Sequence, residues 1–405
     1  MAEEKKKRSN ILTDVIYLAI TGAFAWVCYI LFCKMIENPD KRFNSDLPYY
    51  VKRGLMAEDQ SIFRMPFVVF RFICNHFDPV KGTAAFLAIL IALIIFANYF
   101  YLKHWGGIDT KARGFRILTP LLSIGALFAG PIYVKGIHEH FYKNTYASFA
   151  WHSPTQQMMT FFTVLALICF FKMVENYEEH ISPLCWIGSM LFFLLSAYAK
   201  PSFILIFGPA VILVFLGLLI KGSEISMGKR FRRLILMGLT LVPSGVYILI
   251  INFLVYESEN KGSNNNVVID TSNMMGMRAT LIAMACSMAF AGLVFLFNIK
   301  DIFWRKNCLI LLCAIFGYLE LFFLSESGSR ASHGNFGWGQ IIGCYVLMLT
   351  AMAILLENMK DKQFLKGIKP LRFIYFVLAL GVLVLHVASN VFYFYLIFTG
   401  HGYWR

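Results

Sequence analysis

Residues 202–233 read SFILIFGPAVILVFLGLLI followed by KGSEISMGKRFRR: nineteen residues without a charge, then thirteen that carry five Lys or Arg. The first part is close to the ~20 apolar residues that cross a hydrocarbon core. The second is a basic stretch of the kind that stays on the cytoplasmic side of a membrane. The same alternation repeats on either side. Approximate apolar runs lie at 12–35, 83–102, 117–136, 157–174, 182–198, 202–220, 234–255, 279–298, 307–324, 338–356 and 372–397, eleven in all. A hydrophobic fraction of 58% against a charged fraction of 15% agrees with this and excludes an ordinary soluble domain. The expected fold class is therefore all-α, a polytopic membrane protein with about eleven transmembrane helices.

The polar segments fall into two sets. Segments 1–11, 103–116, 172–181, 221–233, 299–306 and 357–372 hold 22 of the 37 Lys and Arg. By the positive-inside rule this set is cytoplasmic. The N-terminus is then cytoplasmic and the C-terminus extracytoplasmic, in a multi-pass protein of the cell membrane. The first run follows Lys5-Lys6-Lys7-Arg8 as a signal peptide would. It is longer than such a segment and has no small-residue cleavage site, so it reads as a retained helix. The net charge of +14 reads as anchoring against anionic lipid rather than as a nucleic-acid surface. The nine Cys are scattered singly with no C-x-x-C pair, and read as small core residues. The chain is expected to be a single transmembrane domain, 1–405, with outer loops at 37–82, 256–278 and 325–338.

The two faces also differ in residue type. Six of the nine His fall outside: His76, His138, His140, His152, His333 and His401. So do the unusual polar strings: AsnSerAspLeuProTyrTyr at 44–50, TrpHisSerProThr at 151–155, AlaLysProSer at 199–202, and a Gly-rich stretch at 326–339. Chemistry belongs to this face. In the first outer loop, two apolar-rich stretches at about 47–57 and 62–77 are too short and too charged to span. Phe63, Phe67, Phe70 and Phe77 recur there at roughly helical spacing, interrupted by Arg64 and Arg71, which predicts helices lying in the interface plane. Such a loop can hold a carboxylate, Asp46, beside a lipid headgroup; an amphipathic spacer would explain the helices equally well.

Lys200 stands before Pro201 at a tight turn between helices, on the side where the topology rule disfavours cations. It is a candidate for a lipid phosphate, with a snorkelling Lys as the plain alternative. Arg330 can fork to phosphate and His333 can donate a second bond, in a loop that also holds Glu326, Asn335 and Trp338. His138 and His140 with His152 have metal-ligand chemistry, but no second shell is visible and no metal is assigned. Glu320, near the outer end of the ninth run, and Asp14, near the inner end of the first, are the ionisable residues inside spans that need an explanation.

Taken together, this arrangement resembles the GT-C superfamily of integral-membrane glycosyltransferases, in its bacterial polyprenyl-phosphate-sugar-dependent form. The resemblance is one of architecture over most of the chain. At residue level it rests on Asp46 in Ser45-Asp46-Leu47-Pro48-Tyr49-Tyr50 and on the short Pro-containing strings at 151–155 and 199–203. It implies transfer of a sugar from a polyprenyl-phosphate donor to a cell-surface glycan or lipid acceptor, with inversion, Asp46 as catalytic base, and Lys200, Arg330, His333, Glu326, His152, Asn335 and Tyr49 in contact with substrate. Asn44-Ser45-Asp46 has one carboxylate where the family's common AspXAsp form has two, so Asp46 carries the base role alone; no cofactor is assigned, and a divalent metal is left open without residues that support it. Membrane lipids and the two substrates are the expected partners, and nucleic acid is not. Two other readings compete. A polysaccharide polymerase or ligase would use a polyprenyl-pyrophosphate donor and a large late outer loop. A transporter would show mid-membrane charges, broken helices and internal repeats.

Overall fold

A computed structural model describes all residues except 1, 41, 44, 57–62, 106–112, 135–148, 222–224, 254–265, 272–276, 303–304, 329–333, 361–369 and 402–405. The molecule is an all-α polytopic membrane protein. Among the described residues nine helices are long and apolar enough to cross a membrane; two shorter apolar helices, Gly114–Phe128 and Pro183–Ala199, fill the remaining positions of the eleven. The chain order is α1 (Ala2–Glu37), α2 (Leu47–Leu55), α3 (Met65–His76), α4 (Pro79–Trp105), α5 (Arg113–Gly125), α6 (Pro154–Asn176), α7 (Pro183–Ala199), α8 (Ser202–Ile220), α9 (Met227–Gly238), α10 (Val242–Ile251), β1 (Val267–Ile269), α11 (Met277–Phe297), α12 (Ile299–Ile302), α13 (Arg305–Phe323), β2 (Leu324–Glu326), α14 (Gly337–Lys360) and α15 (Pro370–Phe398).

The core is organised around α14. It is buried from Gly339 to Leu356 without a break, because it is apolar on every side and has helices on every side. It packs on α13, α11, α4 and α8. Lipid tails are as apolar as the side chains, so burial alone does not hold such helices together; close packing and hydrogen bonds do. Asn98 of α4 exchanges hydrogen bonds with the Tyr345 hydroxyl of α14 at 2.8 and 3.1 Å. Tyr101 bonds Thr350 at 2.7 Å, and Thr163 of α6 bonds Ser196 of α7 at 2.9 Å. Each such tie contributes about 1 kcal/mol.

Helices α2 and α3 fall where the sequence places two interfacial segments. Gly54 lets them cross closely: a Cβ there would lie 3.0 Å from the Phe70 backbone. Phe67, Phe70 and Ile73 turn inward, while Val68, Phe72 and Phe77 stay exposed and leave an apolar face for lipid.

Two spans differ from expectation. The seventh does not begin after the basic stretch. Helix α9 contains Lys229, Arg230, Arg232 and Arg233, and a 3-10 turn at Leu239–Leu241 joins it to α10, with Pro243 in the first turn where no N–H is lost. Arg230 is buried and donates to the carbonyls of Leu218 and Leu219 at 3.1 Å and of Lys221, the groups that the end of α8 leaves unpaired. Arg233 does the same for the carbonyls of Tyr177 and Glu179, both at 2.7 Å.

The third span, expected over 117–136, stops early. Helix α5 winds into a 3-10 turn at Ala126–Phe128, and residues 129–134 have no regular structure. Backbone exposed at this depth must find partners inside the protein. The Gly130 carbonyl accepts from His386 Nδ1 and the Pro131 carbonyl from Asn390 Nδ2 at 3.0 Å. Ile132 N–H donates to the Cys286 carbonyl at 3.0 Å and Tyr133 N–H to Ser389 Oγ at 3.2 Å. The Phe290 N–H, whose helical acceptor would be Cys286, donates to His386 Nε2 at 3.2 Å. His386 is thereby fixed as the neutral tautomer with its proton on Nδ1. Position 130 must be Gly, since a Cβ there would run into the Asn390 side chain.

Candidate functional site

Asp46, His152, Lys200 and Trp338 meet at one end of the bundle, each delivered by a different element. Asp46 stands at the N-cap position of α2, yet its side chain makes no capping bond. The adjacent Ser45 does that work: its Oγ accepts from Leu47 N–H at 3.0 Å and donates to the His152 carbonyl at 3.3 Å. Ser45 therefore ties the start of α2 to the 151–155 string and leaves the Asp46 carboxylate exposed. Asp40, by contrast, is occupied in a local turn, accepting from the backbone N–H groups of Arg42 at 2.9 Å and Phe43 at 3.2 Å.

His152 is presented by a rigid neighbour. Trp151 is 2% exposed and packs among Phe24, Phe128, Phe149 and Phe394, with ring centroids 4.6–6.1 Å apart. The His152 ring, one residue on, lies 5.9 Å from the Trp338 ring. Loss of solvent lowers its pKa; Asp46 opposes the change and Lys200 adds to it.

Lys200 closes α7, and its extended backbone at φ −164° aims the side chain across the site. Its Nζ lies 3.3 Å from the centroid of the Trp338 ring, a cation–π contact at the start of the central helix. Enclosure pushes its pKa down to about 7, against the pull of Asp46. The ammonium is thus partly desolvated, with an aromatic face and one carboxylate in place of water, which suits capture of a second anion. Tyr50 completes the wall. It packs between Phe67 and Phe70, bonds Thr155, and has its pKa raised by burial and then by the Asp46 charge.

The other expected residues are placed as follows. Tyr49 points outward, 49% exposed, under Arg53; neighbours in a helix sit ~100° apart, so Tyr50 takes the inward place. Glu326 ends β2 and accepts from Asn335 Nδ2, which brings these two together on the same rim. β2 pairs antiparallel with β1 in the register Val267–Glu326, joining the loops on either side of the site. Arg330 and His333 lie outside the described residues, as do His138 and His140. Among the described residues no three His, Cys, Asp or Glu side chains are grouped to hold a metal ion. Glu320 lies one step deeper, its carboxylate against the backbone of Gly339. Asp14 has a structural explanation: it bridges Arg116 at 3.0 Å. Ser45, Tyr50 and Thr155 were noted only as members of their strings, with no role of their own, and Gln156 was not noted. The available signals were the cap pair Ser45-Asp46 and two consecutive amides, Gln156-Gln157, at the head of an apolar helix.

Comparison with known proteins gave no matching family model and no matching curated sequence.

Proposed function

We propose that the protein is an integral-membrane glycosyltransferase of the GT-C kind. It moves a sugar from a polyprenyl-phosphate donor to a glycan or lipid acceptor at the extracytoplasmic face of the cell membrane. The observation that carries the reading is the meeting of an unoccupied carboxylate, Asp46, with the enclosed cation of Lys200 and the His152 imidazole at one end of a membrane-spanning bundle. A base and a cation at that depth suit a one-sided transfer on a membrane-borne phosphate.

In this reading the donor phosphate sits against Lys200 and His152, and the acceptor hydroxyl approaches Asp46. Asp46 takes the hydroxyl proton as the oxygen attacks the anomeric carbon. The bond from that carbon to the phosphate oxygen breaks, and the electron pair leaves with the lipid phosphate. Lys200 stabilises the charge that builds on that oxygen, the largest electrostatic contribution expected in such a transfer. Inversion follows from a single displacement. A phosphate anion at Lys200 favours its charged form, so donor binding takes up a proton near neutral pH.

The break in α5 is the feature that favours the transport reading, since broken helices form binding sites in transporters. The carbonyls of Gly130 and Pro131 and the N–H groups of Ile132 and Tyr133 already have protein partners, so they are not offered to cargo. Mass spectrometry of lipids that co-purify with the protein tests the class. A retained polyprenyl monophosphate, bare or glycosylated, is the expected result. A pyrophosphate carrier points to the polymerase or ligase reading, and absence of any polyprenyl carrier removes the proposal.

A further inference from the structure

The stretch 47–77, at the Asp46 end of the bundle, holds Lys52, Arg53, Arg64 and Arg71 against two acids, Glu58 and Asp59. Both acids fall in the connection 57–62, outside the described residues. Helices α2 and α3 themselves contain no Asp or Glu. Membrane proteins collect Lys and Arg on the cytoplasmic side and carry fewer outside. A basic helix pair on the side read as extracytoplasmic is therefore not a topology signal.

Helix α3 bridges the ends of two spans. Near its C-terminal end Ile73 and Phe77 pack on the first turn of α4, where a Cβ on Gly82 would lie 2.9 Å from each. At its start the Tyr247 hydroxyl of α10 donates to the Phe63 carbonyl at 2.8 Å. Gly82 is three residues past the start of α4, and Tyr247 four before the end of α10. Both ties thus lie about one helical turn, ~5 Å, inside the ends of separate helices. That is the depth at which an amphipathic helix rests in the headgroup boundary. The outward face of α3 follows helical spacing through Val68, Arg71, Phe72 and Asn75. Val68 is 39% exposed and Phe72 58%. On α2, Lys52 is exposed, and Arg53 lies over the outward Tyr49 ring. The helices cross at Gly54, where a Cβ would lie 3.2 Å from the Arg71 backbone nitrogen. Arg53 directly precedes that glycine, so the crossing gathers Lys52, Arg53 and Arg71. Among the described residues the side chains of Lys52 and Arg71 make no hydrogen bond or ion pair.

An apolar face alone would enter any bilayer. Arg71, set between Val68 and Phe72, cannot follow them among acyl chains, so its guanidinium stays at headgroup level. There it meets phosphodiester oxygens, which suit its fork of donors. A zwitterionic headgroup cancels its own phosphate with an ammonium; an anionic one does not, and attraction grows with each cation near the surface. We propose that the α2–α3 pair is a docking surface for an anionic phospholipid of the outer leaflet. Lys52, Arg53 and Arg71 meet its headgroup, and Val68 and Phe72 lie among its acyl chains. The contact goes beyond the transfer reaction and does not depend on it.

The test is local quenching. The full chain, carrying Asn75→Cys in a Cys-less background and labelled there with bimane, is placed in nanodiscs of phosphatidylcholine and phosphatidylglycerol. One lipid or the other bears brominated acyl chains, which quench on contact. Both should quench, and phosphatidylglycerol should act as though enriched about fivefold or more over its mole fraction, the scale of a cation against an anionic surface. High salt should reduce the enrichment. Arg53→Gln together with Arg71→Gln should abolish it, and Lys200→Met should keep it. Native mass spectrometry of the chain with its own cysteines is the second readout, should the Cys-less chain not fold. There the Arg53→Gln, Arg71→Gln variant should retain fewer phosphatidylglycerol molecules than the unmodified chain and as many of phosphatidylcholine. Equal enrichment of the two lipids overturns the docking surface, and so does a preference kept in the double variant. Loss of the preference in Lys200→Met overturns it by assigning the anion to Lys200. Quenching by neither lipid puts α3 off the bilayer and overturns it as well. None of these readouts uses sugar transfer, so each such failure leaves the proposed function to its own test.

Discussion

The two ends of the bundle treat their charged residues in opposite ways. At the basic end, cations are tied down. Arg230 and Arg233 close the ends of α8 and α6 through backbone carbonyls. Lys306, 7% exposed, holds the Glu175 carboxylate at 2.6 Å and the Trp105 carbonyl at 3.0 Å. Arg116 holds Asp14. At the other end Lys200 faces an aromatic ring, Asp46 caps nothing, and Gln156 has no partner among the described residues. Polar groups that already have partners hold a structure together. Charged groups left without a protein partner at the other end remain available to a ligand. The contrast is a physical argument, independent of likeness to a known protein, that supports the proposed site at the Asp46 end.

The largest effect that would break this contrast is expected at Asp46. Asp46→Asn should cut sugar transfer in proteoliposomes by roughly 10²-fold or more while donor binding survives, because the basic lone pair is lost and the shape is kept. Asp40→Asn should matter far less, since Asp40 is spent on its own turn. Near-normal transfer in Asp46→Asn with loss in Glu320→Gln or Glu326→Gln would move the base to that residue.

Next in size is Lys200. Lys200→Met should weaken donor binding strongly and leave detergent stability unchanged or slightly higher. Its pH behaviour gives the sign. The folded pKa is about 7 against ~10.4 in an unfolded chain. Between these values the unfolded state holds the proton and the folded state does not, so this group makes stability rise as pH increases through that window. Donor affinity should do the reverse, falling as pH rises above about 7. Melting and donor-binding titrations between pH 6 and 9 check both slopes. In Lys200→Met the stability slope should disappear. In Lys200→Arg, which stays charged, donor affinity should stay flat.

A smaller effect, and of the other kind, is expected at the basic end. Lys306→Met and Arg230→Met should each lower stability by about 1–3 kcal/mol, because buried acceptors lose their donor, with kinetic constants of the surviving protein near normal. Loss of turnover without loss of melting temperature in either would erase the distinction between the two ends. The smallest perturbation is a label. A single Cys placed at Lys229 in a Cys-less background should react from the cytoplasmic side only, and one at Ser263 from the outside only. Reaction of both from one side would undo the orientation on which the proposed function depends.

The spans and the two interfacial helices were legible in the sequence because hydropathy and helical period are local properties. Burial of α14 on all sides was not, since an apolar helix facing lipid and one facing protein read alike. The early end of α5 was equally hidden: the acceptors and donors that make it tolerable, at 286, 386, 389 and 390, come from distant parts of the chain. The basic residues in α9 were legible as a charged segment, but not that Arg230 and Arg233 reach back to cap two other helices. Residue type singled out Asp46, His152 and Lys200, which the fold brings together, because a cation or carboxylate at a helix end is conspicuous. It chose Tyr49 over Tyr50, since which of two neighbours turns inward depends on where α2 lies. It passed over Gln156, whose amide has no partner among the described residues, because a missing partner cannot be read from one residue.

The interruption in α5 has a bearing on how the protein is made. Membrane helices enter the bilayer in chain order, and the third is synthesised some 250 residues before His386 and Asn390. Until the last helix is in place, the carbonyls of Gly130 and Pro131 lack the donors that His386 and Asn390 supply. A chain cut before residue 386 is therefore expected to hold its third span less firmly than the full chain does, because two carbonyls inside the bundle have lost their donors.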